Sequence, residues 1–225
     1  MIVYIVTETA DKYQTGNWQK QKLVLEEASG DFCLVVHYKQ VGLAMLKGIQ
    51  PWAICHSGSG TPFEEYDILA SAGYREVVLE STVPQLGICG GHQLIACLHG
   101  AMLGRMRKIR RGDADHNPKY HPGEYKEWGV YTVHILERDP LFRGLGRKFR
   151  VQQFHRSEIK GLSRDFKVLA SSPDCRIQAY VHRQRPVYGV QFHPEEWSEA
   201  YPDGRVILRN FFHLAASRQG LVSMV

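Results

Sequence analysis

The segment Gln85-Leu86-Gly87-Ile88-Cys89-Gly90-Gly91-His92-Gln93 decides how this chain folds. It opens as a short apolar run, passes a cysteine set among three glycines, and continues as an amphipathic stretch from His92 to His99. Strand, sharp turn and helix therefore follow one another with almost no linker, which is a building unit of an α/β sheet. A nucleophile on such a turn needs small neighbours, because the backbone bends sharply there and holds a strained conformation. Gly87, Gly90 and Gly91 supply that room. The helix N-terminus would favour a thiolate over a thiol at Cys89. The free N–H of Gly90 would point toward an oxyanion formed beside it.

Upstream of this turn, residues 1–6 read as a first strand and Trp18 to Ala28 as a helix closed by Ser29-Gly30. The continuous apolar run Phe32 to Val36 predicts a strand buried on both faces. Trp52 to Cys55 predicts another, running into the small-residue loop Ser57-Gly58-Ser59-Gly60-Thr61-Pro62, whose backbone could supply a second oxyanion donor. Downstream, antiparallel strands are expected over 129–136, 168–171, 177–182 and 187–192, with a final helix over 205–217. A polar stretch from Arg105 to Lys126 reads as a surface loop. The expected fold is α/β: a largely parallel central sheet with helices on both faces and an antiparallel extension, as a single domain over 1–225.

Composition narrows the functional classes. The 225 residues carry 28 Lys+Arg against 23 Asp+Glu, a net charge of +5, with 44% hydrophobic residues. That balance describes a folded chain with ample core. No apolar run approaches the roughly 18 residues that cross a bilayer, and the first strand is too short for a signal peptide. Five cysteines (Cys33, Cys55, Cys89, Cys97 and Cys175) form no CxxC pair, which argues against a disulfide framework or zinc knuckle and for a reducing cytoplasm. All but Cys89 read as core packing or simple surface placement. The charge is too diffuse to imply nucleic-acid binding. The basic run Arg105 to Arg111 reads as a solvated strand or loop without an aromatic platform, with the narrower option that it faces a partner protein. Asp113, Asp115, His116 and His121 share no helical or strand face, so they read as a solvated loop rather than a metal site.

A second element gives the turn its chemical meaning. In Gln191-Phe192-His193-Pro194-Glu195, residues two apart on an extended path face one side, so Glu195 can approach the His193 imidazole. Pro194 favours that path by fixing its own φ and restricting His193. A carboxylate that orients a histidine, with the histidine reaching a thiol, is what nucleophilic catalysis requires.

With these motifs the sequence resembles the class I, triad-type glutamine amidotransferases, from about residue 50 to residue 212 and most weakly over 7–30 and 104–125. The resemblance implies a flavodoxin-like fold and a Cys-His-Glu triad that hydrolyses glutamine to glutamate and ammonia through a γ-glutamyl thioester. It makes Cys89 the nucleophile, His193 the general base and acid, and Glu195 its orienting partner. Gly58 and Gly90 would form the oxyanion hole. Gln93 would help hold the glutamine side chain, and the segment Gln153 to Ser157, with Phe154, His155 and Arg156, would hold the substrate's amino-acid end. Cys175-Arg176-Ile177-Gln178-Ala179 and Tyr188-Gly189-Val190-Gln191 look most like the amidotransferase part of GMP synthetase. No metal or organic cofactor, nucleic acid or membrane is implied, and the ammonia acceptor is expected on a separate synthase subunit.

Three positions depart from the family pattern. The usual Gly-Gly-Pro loop is here Gly58-Ser59-Gly60-Thr61-Pro62, Arg156 stands where a small residue is frequent, and Gly90 replaces a commonly larger residue, which suggests a roomier pocket. With no fused ammonia-using synthase expected, a second reading is a stand-alone hydrolase of γ-glutamyl peptides or related amides, using the same triad with a roomier pocket around Gly90. A third, a catalytically silent binding subunit, would have no physical need for all three triad residues.

Overall fold

The computed structural model describes residues 1–218 and Gly220. The last part of the expected 1–225 domain, residue 219 and residues 221–225, lies outside the described residues. In chain order the first half forms β1 (Ile2–Val6), α1 (Ala10–Thr15), α2 (Gln19–Ser29), β2 (Cys33–His37), α3 (Leu43–Ile49), β3 (Ala53–His56), α4 (Ala72–Glu80), β4 (Gln85–Ile88) and α5 (Gly90–Leu98). The second half forms β5 (Met102–Arg105), β6 (Glu127–Ile135), β7 (Lys148–His155), β8 (Ser157–Gly161), β9 (Phe166–Ser171), β10 (Ala179–His182), β11 (Val187–Val190) and α6 (Asp203–Arg218).

Nine strands make one sheet in the order β2-β1-β3-β4-β11-β10-β9-β6-β7, while β5 and β8 pair separately. The pairings from β2 to β11 are parallel and those from β11 to β7 antiparallel. The parallel half needs cover on both faces, and β1 shows how the sequence provides it. Ile2, Tyr4 and Val6 join a core with Leu25 of α2 and Ile207, Leu208, Phe211 and Phe212 of α6. Val3 and Ile5, alternating to the other face, pack with Leu46 of α3, Tyr74, Val77 and Val78 of α4, and Leu94 and Ile95 of α5. Each such buried side chain contributes about 1.5–3 kcal/mol.

Four expectations need correcting. The Phe32–Val36 run is an edge strand rather than one buried on both faces: Leu34 is 38% and Phe32 78% exposed. A continuous apolar run reads the same at the edge as at the centre, and only pairing order separates them. β11 is antiparallel to β10 but parallel to β4, so it joins the two halves of the sheet. The Arg105–Lys126 stretch begins in β5 and is anchored inside: Met106 and Tyr125 are buried with Cys175, and Lys126, 2% exposed, donates to Asp115 Oδ1 at 2.7 Å. Within its basic run, Arg107 lies 3.5 Å from the Tyr125 ring centre and pairs with Asp113 and Asp174. These carboxylates lie outside the run, so the run alone does not show that Arg107 is structural.

Strand β7 is absent from the sequence reading, for a physical reason. Its inward positions are Phe149, Val151, Gln153 and His155, so the period-2 signal turns polar halfway along. Helices α1, α3 and α4 and strands β5 and β8 are likewise missing from that reading.

Candidate active site

Cys89 stands between β4 and α5 with φ 48° and ψ −101°. For a residue with a side chain this is strained backbone, costing about 1–3 kcal/mol, and it is held on both sides. The Cys89 N–H donates to Val190 O of β11 at 2.8 Å, and the Gln93 N–H donates to Cys89 O at 3.1 Å. Gly87 is required at the turn, because a Cβ there would lie 2.6 Å from the Gly91 carbonyl.

Because β11 runs beside β4, its continuation brings His193 to the cysteine. The His193 N–H donates to Gln152 O of β7 at 2.9 Å, and its Nδ1 lies 2.8 Å from Glu195 Oε1. The expected pairing is therefore present, but not on an extended path: Pro194–Glu196 forms a 3₁₀ turn, with the Glu196 N–H on His193 O at 3.2 Å. Proline's fixed φ suits the first position of a helical turn as well as an extended chain. Burial is the largest influence on His193 and disfavours its charged form. The Glu195 carboxylate, then Cys89, outweigh burial, and the His193 pKa is raised well above the ordinary histidine value. The arrangement favours an imidazolium beside sulfur.

The end of β3 completes the convergence. A Cβ built on Gly58 would lie 3.0 Å from His193 Cε1 and 3.6 Å from Cys89 Cβ. Among the described residues, neither the Gly58 N–H nor the Gly90 N–H has a protein acceptor, as befits the first residue of a helix for Gly90. Gly90 does not enlarge the pocket, contrary to expectation. A Cβ there would lie 2.4 Å from Ser59 N, so the missing side chain is replaced by the backbone of the 57–62 loop.

That loop is held by residues the sequence did not reveal. Glu8 accepts from Gly60 N–H at 2.5 Å and from the Thr61 hydroxyl at 2.6 Å. Tyr66 donates to Thr7 O at 2.5 Å, and the Thr7 N–H donates to Ser57 Oγ at 2.9 Å. The one signal for this clamp was a polar Thr7-Glu8 pair directly after an apolar strand.

A cleft opens at Cys89, lined by Ser59, Gln93, Tyr120, Phe154 and Arg156. Phe154 packs at 5.4 Å from the His193 ring. Arg156 is buried and donates to Glu124 at 2.8 Å. His155 also borders the cleft, but both ring nitrogens are engaged, Nδ1 with Ser157 O at 3.0 Å and Nε2 with Glu127 Oε2 at 2.9 Å. A larger cavity lies elsewhere, beside Trp52, Val83 and Phe212 at the opposite ends of the parallel strands. It has no part in this convergence. Among the described residues no cluster of three or more His, Cys, Asp or Glu is placed to hold a metal ion. Asp113 and Asp115 are instead paired with Arg107 and Lys126.

Comparison with known proteins agrees with this geometry. Residues 53–215 match the family described as glutamine amidotransferase class-I. Over 173 residues, 75% of this chain and 78% of the relative, the sequence is 40% identical to the glutamine-hydrolysing GMP synthase subunit of Pyrococcus abyssi. It is 32% identical to anthranilate synthase component 2 of Methanothermobacter marburgensis, over 93% of this chain and 97% of that one. A crystal structure from Thermoplasma acidophilum, provisionally described as the corresponding GMP synthase subunit, matches with a TM-score of 0.75 at 30% identity, covering 99% of this chain and 98% of that one. The elbow cysteine, the histidine–glutamate pair and these relatives agree: this chain belongs to the class I glutamine amidotransferase family.

Proposed function

We propose that the chain, as one amidotransferase domain over 1–225, hydrolyses the side-chain amide of L-glutamine and hands the ammonia to a separate synthase subunit. The observation that carries this is the convergence of Cys89, the His193–Glu195 pair and Gly58 at three neighbouring strand ends. The Cys89 thiolate attacks the amide carbon, and the N–H groups of Gly58 and Gly90 stabilise the oxyanion. As the C–N bond breaks, protonated His193 gives its proton to the leaving ammonia, which leaves a γ-glutamyl thioester. Neutral His193 then takes a proton from water. The hydroxide attacks the thioester, the C–S bond breaks, and glutamate leaves with the thiolate restored. Gln93, Phe154 and Arg156 form the walls that position the substrate.

The relatives named as glutamine-hydrolysing GMP synthase subunits support an ammonia-consuming GMP synthase as partner. No helix among the described residues is long and apolar enough to cross a membrane, and all five cysteines are free. Both facts suit work in the cytoplasm. The γ-glutamyl hydrolase reading invoked extra room at Gly90, and the Ser59 backbone occupies that room. Glutamate release by the purified chain should therefore favour L-glutamine over a γ-glutamyl dipeptide. Preference for the dipeptide would overturn the proposal. If neither substrate turns over without the partner, a glutamine-analogue electrophile should still label Cys89, and no labelling would reject the site.

The loop clamp gives a second expectation. Glu8→Ala removes two hydrogen bonds to a carboxylate, those from the Gly60 N–H and the Thr61 hydroxyl. Displacement of the loop by about 1 Å should lower kcat by up to about 10²-fold. Steady-state glutamate release checks this, and an unchanged kcat would show that Glu8 does not position the loop.

A further inference from the structure

Two buried glutamines meet beside the nucleophile, Gln93 on α5 and Gln191 just past β11. Their neighbours determine which end of each amide points where. The Ser157 carbonyl can only accept, so the Gln93 atom 2.9 Å from it is the amide nitrogen. That nitrogen also lies 2.9 Å from a terminal atom of Gln191, which must accept and is therefore the oxygen. The Gln191 NH₂ group is left facing Cys89 Sγ at 3.6 Å.

We infer that Gln191 is a further catalytic residue: its side-chain N–H donates to the Cys89 sulfur and favours the thiolate, and Gln93 fixes the direction of that donor. The inference rests on the reading of Cys89 as nucleophile. A hydrogen bond to the charged form of a group stabilises that form, and a thiolate accepts far better than a thiol. The pair is anchored at both ends to one buried carboxylate. Ser157 O also contacts His155 Nδ1, whose Nε2 meets Glu127. The Gln191 main-chain N–H donates to Gln178 O at 2.8 Å, and the Gln178 amide donates to Glu127 Oε2 at 2.7 Å. His193 and, behind it, Glu195 face Cys89, and Glu64, Arg105, Tyr120, His155 and Arg156 line the same cleft. The glutamine pair is neutral, so it adds a donor without altering the site's charge.

The test is the pH dependence of Cys89 alkylation by iodoacetamide in the full chain, followed by peptide mapping. In Gln191→Glu the side chain keeps its shape and can still accept from Gln93, but it sets a carboxylate against the sulfur. The alkylation midpoint should rise by at least about one pH unit, a tenfold loss of rate below the midpoint. Gln191→Met, which removes the donor without adding charge, should shift the midpoint the same way by less. A glutamine that served only packing would lower the thermal midpoint of unfolding and leave the alkylation midpoint in place. Unshifted alkylation midpoints in both folded variants would overturn the inference while leaving Cys89 as nucleophile. If one variant fails to fold, the other decides alone. A wild-type Cys89 that iodoacetamide does not modify at any pH would instead remove the nucleophile reading, and this inference with it.

Discussion

Cys89→Ser should abolish glutamine hydrolysis, with kcat lower by about 10⁵-fold or more, as when a nucleophile that acts as one unit with its base is removed. Serine fits the same space at a buried position. The strained turn at φ 48° is inherited from the flanking hydrogen bonds rather than from sulfur. What serine lacks is acidity. A hydroxyl is too weak an acid to give up its proton beside the His193–Glu195 pair. Loss of activity should therefore come with nearly unchanged thermal unfolding and with no covalent labelling by a glutamine-analogue electrophile. Retention of a tenth of wild-type turnover would show that the chemistry does not pass through this residue.

Gly90→Ala should also lower turnover, by less than loss of the thiol, and through backbone rather than a reacting atom. The added methyl would lie 2.4 Å from Ser59 N, 2.9 Å from Ser59 Cβ and 3.1 Å from Gly58 C. Two of those three atoms are backbone, so no rotamer change relieves the overlap and the 57–62 loop must move. Moving it takes the Gly58 N–H away from its place beside Cys89. Loss of one oxyanion donor lowers kcat by about 10²–10³-fold, and overpacking should cost about 1–3 kcal/mol of stability. The thiol itself is untouched, so alkylation of Cys89 should persist while glutamate release collapses. Near wild-type kcat in this variant would mean that the loop supplies no oxyanion donor.

The sequence signals were uneven for physical reasons. The elbow was legible because its chemistry is local: three glycines around one cysteine state both the turn and the space it needs. The His193–Glu195 contact was legible from spacing alone, and it formed although the path between the two residues is a 3₁₀ turn. Gln191 stands out in the sequence only as part of a motif, since nothing in a single strand end tells where its amide points. Glu8 and Tyr66 were invisible because their partners lie on a loop some fifty residues away and beyond β1 respectively.

By itself, the sequence determined most of the central strands, the helix after the elbow, the turn at Cys89 and the pairing of His193 with Glu195. These depend on periodicity, glycine sterics and side-chain type, all of which act within a few residues. Only the tertiary structure decided that Phe32 to Val36 lies at an edge, that β11 runs parallel to β4 and so delivers His193 to Cys89, and that the space at Gly90 is filled by Ser59 rather than open to substrate. Those outcomes depend on strand order and on which distant backbone fills a given volume. No local pattern encodes them, because every candidate neighbour presents the same apolar or polar surface until pairing selects one.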